Sequence, residues 1–262
     1  MEHKLTYFLL AFIALLAGTL IGAVGIGGVL LIPALINIVG LDVHQASATA
    51  LITFSFTGAL GTYLFYKQGT ISWRMSIPVC LGALVASYLG AELNIRTPDQ
   101  LLIIVIGLIV VGAGFWALRT SKRIETQASE KKSSTGQNNF TLLFCLGLIA
   151  GFGSGLSGAG GPLFLVPLML AFNFNYLALV GVAQVLQVVA SSAGSIANII
   201  NGQIVFTIVA FMVPFELIGI FIGVTIAHKA EVGILKKLAA WLCILVGIYM
   251  TVNPLVKYLK IS

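Results

Sequence analysis

Residues able to do chemistry are few in this chain and unevenly placed. Segment 177–200 carries Gln184, Gln187, Ser191, Ser195 and Asn198 at steps of three and four, a single stripe if the segment is helical. Segment 46–66 carries Thr49, Thr53 and Thr57 at the same spacing. Polar side chains in so apolar a setting either face a bundle interior or cavity or hydrogen-bond between helices, and both readings stand. Each glutamine amide can donate two hydrogen bonds to an oxyanion without adding charge. Glu216, in Val213-Pro-Phe-Glu-Leu-Ile218, is the carboxylate placed deepest in a hydrophobic segment. An acid so placed is a proton-coupling candidate; the plainer alternative is a structural acid bonded to carbonyls freed by Pro214.

Two glycine clusters accompany these residues, Gly22-Ala-Val-Gly-Ile-Gly-Gly28 and Gly155-Leu-Ser-Gly-Ala-Gly-Gly161. Glycine permits tight turns and close approach of a ligand or another backbone. A helix restarting after such a turn presents free N–H groups and the positive end of its dipole, which suits an anion. Gly28-Val-Leu-Leu-Ile-Pro33 and Gly161-Pro-Leu-Phe-Leu-Val-Pro167 read as such restarts, with Pro162 fitted to a first helical turn. The substrate-binding set expected on these grounds is Gly25, Gly27, Gly28, Thr49, Ser157, Gly158, Gly160, Gly161, Gln184, Gln187 and Ser191. Close packing through small residues is the structural alternative for the glycines. A nucleotide-binding reading would need a soluble strand-turn-helix unit and a later acidic residue, and neither surrounds them.

The elements that must position these groups are hydrophobic. Of 262 residues 59% are hydrophobic and 8% charged, against about 25% charged in soluble domains, so the chain reads as an all-α integral membrane protein. The formal charge of +6 resides in short loops, where it sets orientation; it does not indicate nucleic acid. Apolar stretches lie near 5–39, 46–66, 72–91, 100–118, 140–171, 177–200, 204–227 and 234–256, giving about eight transmembrane segments. Stretches 5–39 and 140–171 are too long for one crossing, and each is expected to be a full helix and a shorter one meeting at the glycines. Arg119 to Asn139, with Lys122, Arg123, Lys131 and Lys132 among polar residues, reads as a solvated, cytoplasmic linker.

That linker separates residues 1–118 from 140–262, and the two parts read as homologous repeats of four hydrophobic segments each. At an offset of 133, glycines coincide at 18/151, 22/155, 25/158, 27/160, 28/161, 61/194, 69/202, 90/223 and 114/247. Chance would align roughly one or two such pairs. The repeat also places the N-terminal hydrophobic run inside the fold, which argues against a cleaved signal peptide. Basic charge changes sides between equivalent loops: Lys67 and Arg74 face an uncharged Asn201-Gly-Gln203, while the lone Arg96 corresponds to Lys229, Lys236 and Lys237. This favours inverted topology with hairpin-like first elements. Trp73, Trp116, Tyr63 and Tyr66 fit interfacial anchoring, as do His44 and His228 at segment ends. Cys80, Cys145 and Cys243 read as small core filler.

At the glycine clusters the chain resembles the sulfite exporter TauE/SafE family. The resemblance rests on Gly22-Ala-Val-Gly-Ile-Gly-Gly-Val-Leu-Leu-Ile-Pro33, Ser47-Ala-Thr-Ala-Leu51, Gly69-Thr-Ile71 and the second cluster through Pro167. It covers essentially the whole length. It implies secondary transport of a small anion such as sulfite or an organosulfonate across the cytoplasmic membrane, with no ATP-binding subunit and no cofactor. The partners are then the lipid bilayer and the anion, and homo-oligomer formation stays open.

Three rival functions are weighed against transport by a carrier. An anion channel would share the architecture. An intramembrane serine protease could use Gly155-Leu-Ser-Gly158 with Ser157 as nucleophile, but it needs a base within reach, and no histidine lies inside a later segment. A metal or cation transporter is disfavoured because Glu216 is the only deep acid and no His or Cys cluster exists.

Overall fold

The computed structural model describes residues 2–25, 27–127, 139–172, 174, 176–229, 240–241, 244–245 and 247–252. Its helices are α1 (Glu2–Val24), α2 (Gly28–Val39), α3 (Val43–Lys67), α4 (Trp73–Arg96), α5 (Asp99–Gln127), α6 (Phe140–Ser157), α7 (Pro162–Ala171), α8 (Tyr176–Ile200) and α9 (Phe206–Lys229). No strand occurs among the described residues. Seven of these helices are long and apolar enough to cross a membrane; α2 and α7 are about half that length. The last hydrophobic stretch is helical where it is described, between residues 240 and 252. The chain is therefore a multi-pass membrane protein. Large apolar side chains such as Phe8, Phe12, Leu84, Val85, Phe115 and Phe221 cover its outside, where lipid tails replace water as solvent.

The helix ends follow from local chemistry. Asp42 caps α3 by accepting the Gln45 N–H at 2.8 Å, and Asn139 caps α6 by accepting that of Leu142 at 3.2 Å. Helix α5 runs nine residues past Leu118, into the stretch expected to be a linker. Arg119 to Gln127 contains no Gly or Pro, so nothing in it stops the helix. The rest of that stretch, 128–138, with Lys131 and Lys132, lies outside the described residues, as do Lys236 and Lys237.

Each glycine cluster reverses the chain. After Val24, Gly25 takes φ 77° and α2 runs back along α1: Gly27 lies against Ala17 and Ile21, and Leu30 packs with Leu20, Leu16 and Ile13. After Ser157, Gly158 and Gly160 take φ 69° and 88°, and α7 runs back along α6, with Phe164 against Gly153. The expected full helix followed by a shorter one is present in both places, as a hairpin.

Close approaches between helices recur at the same offset as the glycines. Gly18 rests on the backbone of Glu216, and Gly151 on that of Ala83. Gly22 meets Ile220 and Gly155 meets Ser87; Gly223 meets Thr19 and Gly90 meets Phe152. Adding 133 to one member and subtracting it from the other turns each contact into its mate. The register also gives direction. In the pair α3 and α8, Leu51 meets Gly194, Gly58 meets Val188 and Gly61 meets Gln184, so these two helices, matched by the offset, run antiparallel. Gly107 against Gly247 and Gly114 against Ala240 give the same sense for α5 and the final segment.

Following the chain with these directions sorts its ends into two faces. The described Lys67, Arg74, Arg119, Lys122, Arg123 and Lys229 belong to helix ends on one face, and Lys4 and Arg96 to the other. Tyr66 and Trp73 meet edge to face at the basic side, with centroids 6.2 Å apart, both substantially exposed.

Candidate functional site

The two glycine turns, far apart in sequence, touch in the fold. Gly28 abuts Ala159 O, and Gly25 lies near Pro162 and Val166. Both turns reach the ring of Phe54, which is fully buried: Gly28 lies against its Cζ and Cε2, and Gly160 against its Cδ2 and Cε2. Phe54 sits midway along α3, and Gly161 rests on Leu186 and Ala190 midway along α8. The restarting helices α2 and α7 thus begin near the centre of the bundle and run to opposite faces. Neither Phe54 nor its contact with both turns is visible in sequence, because an aromatic residue in an apolar segment carries no polar signal. Its only marker is positional: the offset pairs Phe54 with Gln187.

The two glutamines lie where the turns meet, with their donors engaged by protein. Gln187 Nε2 donates to Thr57 Oγ1 at 2.9 Å and to Phe54 O at 3.3 Å. Gln184 Nε2 donates to Ile21 O at 3.2 Å. Ile21 O also accepts the Gly25 N–H at 2.9 Å, so Gln184 adds a second bond to that carbonyl and ties α8 to the last turn of α1. Gly61 leaves room for the Gln184 amide against α3, and Gln184 Oε1 has no hydrogen-bond partner among the described residues.

Other expected site residues divide by what their side chains already hold. Ser157 Oγ donates to Gly153 O at 2.7 Å and accepts the Ala159 N–H at 3.2 Å, so it braces the second turn. Among the described residues no histidine hydrogen-bonds to it. Thr49 Oγ1 accepts the Val205 N–H at 3.1 Å, away from the glycine turns and toward the loop between α8 and α9. Ser191 Oγ, one residue beyond Ala190, is buried and has no hydrogen-bond partner among the described residues. Ser195, Ser154 and Ser47 share that state.

Glu216 is fully buried on α9, with its backbone against Gly18. The Thr53 hydroxyl faces it, but that hydroxyl's proton goes to Ala50 O at 2.9 Å, and neither carboxyl oxygen makes a hydrogen bond among the described residues. The expected alternative, an acid bonded to carbonyls freed by Pro214, is therefore absent. At the offset, Glu216 and Thr53 correspond to Ala83 and Leu186, so this polar pair exists on one side only.

At the face opposite the basic one, His44 Nε2 pairs with Asp99 Oδ1 at 2.9 Å and its Nδ1 with Asn94 Oδ1 at 3.1 Å. Asn94 in turn donates to Leu156 O, tying α3, α4, α5 and the end of α6 together. Cysteine departs from expectation: Cys145 is exposed on the outside of the bundle and Cys80 is half-buried, since their helices turn those faces toward lipid. Cys243 and the His228 side chain lie outside the described residues. Among the described residues no group of three His, Cys, Asp or Glu could hold a metal ion, and the buried polar set holds no Lys or Arg.

No solved structure matches the chain. Among proteins similar to it is the probable membrane transporter protein YdhB of Bacillus subtilis, 25% identical over 87% of this chain and 94% of that protein. The probable membrane transporter protein y4hK of Sinorhizobium fredii is 28% identical over 93% of this chain and 94% of its own length. The family model described as sulfite exporter TauE/SafE matches residues 10–250. Joined to the paired glycine hairpins, that match over nearly the full length means that the chain belongs to the sulfite exporter TauE/SafE family.

Proposed function

We propose that the chain is a secondary carrier, built of two inverted halves, that moves sulfite or a small organosulfonate across the cytoplasmic membrane. The observation that carries this reading is the meeting of the two glycine turns at the centre of the bundle, where α2 and α7 both begin. Discontinuous helices in matched positions of two halves are the usual signature of a transporter site. Helix N-termini favour anions, and the lack of a buried basic residue among the described residues suits cargo that must be released. Positive-inside orientation puts the basic face in the cytoplasm and the His44–Asp99 pair on the opposite side. Glu216, buried and with no hydrogen bond to its carboxyl among the described residues, is the residue we assign to proton coupling.

The test uses purified protein in liposomes. Labelled sulfite should exchange against internal sulfite with saturation, and net uptake should respond to a pH gradient. Glu216→Gln should remove the pH response and keep exchange. Ohmic single-channel currents would instead establish the channel reading, and absence of any sulfite or sulfonate flux would reject both.

A further inference from the structure

At the face opposite the basic one, polar side chains tie the two halves together. Thr49 Oγ1 on α3 accepts the Val205 N–H at 3.1 Å. Glu92 on α4 accepts from Asn201 Nδ2 at 3.4 Å while its other oxygen holds Arg96 at 2.6 Å. Asn94, buried on α4, donates to Leu156 O, two residues before the left-handed Gly158 of the second turn. At the offset of 133, Thr49, Glu92 and Asn94 correspond to Val182, Thr225 and Ala227. Valine and alanine side chains offer no hydrogen bond, and Thr225 donates to Phe221 O of its own helix at 2.8 Å. The symmetry that repeats the glycines therefore does not repeat these ties.

His44 completes the cluster, and the inventory of donors fixes the form it takes. Leu156 O can only accept, so it takes the Asn94 NH2 and turns Asn94 Oδ1 toward His44 Nδ1 at 3.1 Å. His44 Nε2 faces Asp99 Oδ1 at 2.9 Å. Both ring nitrogens thus look at acceptors. A neutral imidazole carries one N–H and would leave two lone pairs facing each other at one contact; the imidazolium donates at both. Around the ring, α5 brings Asp99 and α4 brings Asn94, with the Glu92–Arg96 pair closed on itself on the same helix. Helix α3 adds Asp42, whose Oδ1 accepts the Gln45 N–H, and the last turn of α6, Ser154–Ser157, has no ionisable group. Among the described residues His44 forms an ion pair with Asp99 alone. The two side chains are 15% and 61% exposed, so a proton reaches the ring from that face without crossing the bundle. At the offset they correspond to Leu177 and Val232, so this part too is one-sided.

We propose that His44, Asn94 and Asp99 form a proton-sensitive clamp on the outer mouth. With both ring nitrogens protonated, it holds α3, α4 and α5 to the end of α6 and fixes the second glycine turn closed toward the outside. Loss of one proton breaks one of the two contacts and releases it. Histidine changes charge between about pH 5 and 8, so the clamp reads the pH of the outer medium. The inference rests on the carrier reading, in which the halves part at one face at a time, and names what governs the outer face. Its proton binds and leaves on that side, distinct from the coupling proton assigned to Glu216.

The experiment uses the full chain in liposomes, in a cysteine-free background with Ser47→Cys as reporter. Ser47 is buried, lies three residues along α3 from His44 and touches Gly158, so a thiol there is reached from outside when the mouth opens. The probe is an anionic, impermeant methanethiosulfonate applied outside. Thiol reactivity itself rises with pH, so each variant is compared with the reporter protein at the same pH. His44→Phe keeps a ring and loses both donors. It should label about tenfold faster at about pH 5.5, the worth of one hydrogen bond to a charged group. At about pH 8.5 it should label at the same rate as its parent, whose clamp has by then released. Asp99→Ala, at an exposed position, should act in the same direction at the lower pH. Equal labelling of the parent and both variants at the lower pH overturns the proposal. So does an acceleration of the same size at both pH values, which would make the cluster a fixed structural tie. The readout needs no cargo: absence of sulfite flux would strike the carrier reading, while the labelling still decides the clamp.

Discussion

Gly158→Ala, set beside Gly40→Ala, separates local backbone strain from tertiary packing at the second turn. Both glycines have positive φ, 69° and 82°, so both substitutions carry the left-handed penalty of about 1–2 kcal/mol. Their surroundings differ. A Cβ at Gly40 would meet nothing within 4 Å, whereas one at Gly158 would lie 2.6 Å from Ser47 Cα and 2.7 Å from Ser47 Cβ. Ordinary carbon contacts are near 3.5–4.0 Å, so the overlap is about 1 Å against backbone that cannot rotate aside. Overpacking of that kind costs about 1–3 kcal/mol more. Gly158→Ala should thus lose about 2–5 kcal/mol in all, and Gly40→Ala only the strain. Thermal unfolding in detergent, followed by tryptophan fluorescence and by retention of a monodisperse peak, reads the difference. Gly25→Ala should fall between the two, since φ is 77° but the nearest obstacle is the end of the Val166 side chain at 3.3 Å. Equal losses at Gly158 and Gly40 would show that α3 does not press on the turn as described, and would refute the packing argument.

Topology and the role of the central ring give two further tests. In a cysteine-free background, Gln68→Cys and Asn201→Cys occupy equivalent exposed positions 133 apart; they should react with an impermeant maleimide from opposite sides of the membrane, and labelling from the same side would reject the inverted arrangement. Phe54→Ala removes the ring that touches both Gly28 and Gly160 at a cost of about 3–5 kcal/mol; in protein that still folds, counterflow of longer-chain sulfonates should rise relative to sulfite, and unchanged selectivity would remove Phe54 from the pathway.

The amino-acid sequence by itself determined the membrane class, the glycine breaks and most helix positions, though not the end of α5, and it displayed the offset of 133 between glycines. Hydrophobic length and glycine spacing are local properties, and the offset of 133 needs no coordinates to be seen. It also pointed to Gln184, Gln187, Ser191 and Glu216, because polarity inside an apolar segment is conspicuous. Whether those groups are free depends on which helices lie opposite, and that only the tertiary structure decided. Gln184 and Gln187 spend their donors on Ile21 O, Phe54 O and Thr57 Oγ1, Ser157 braces its own turn, and Thr49 holds the Val205 N–H. Among the described residues the Glu216 carboxyl and the hydroxyls of Ser47, Ser154, Ser191 and Ser195 have no hydrogen-bond partner. Phe54 could not be singled out in an apolar helix until two turns 133 residues apart closed on its ring. A hydrogen bond between helices is decided by their packing, and the hydrophobic pattern that makes each helix is indifferent to it.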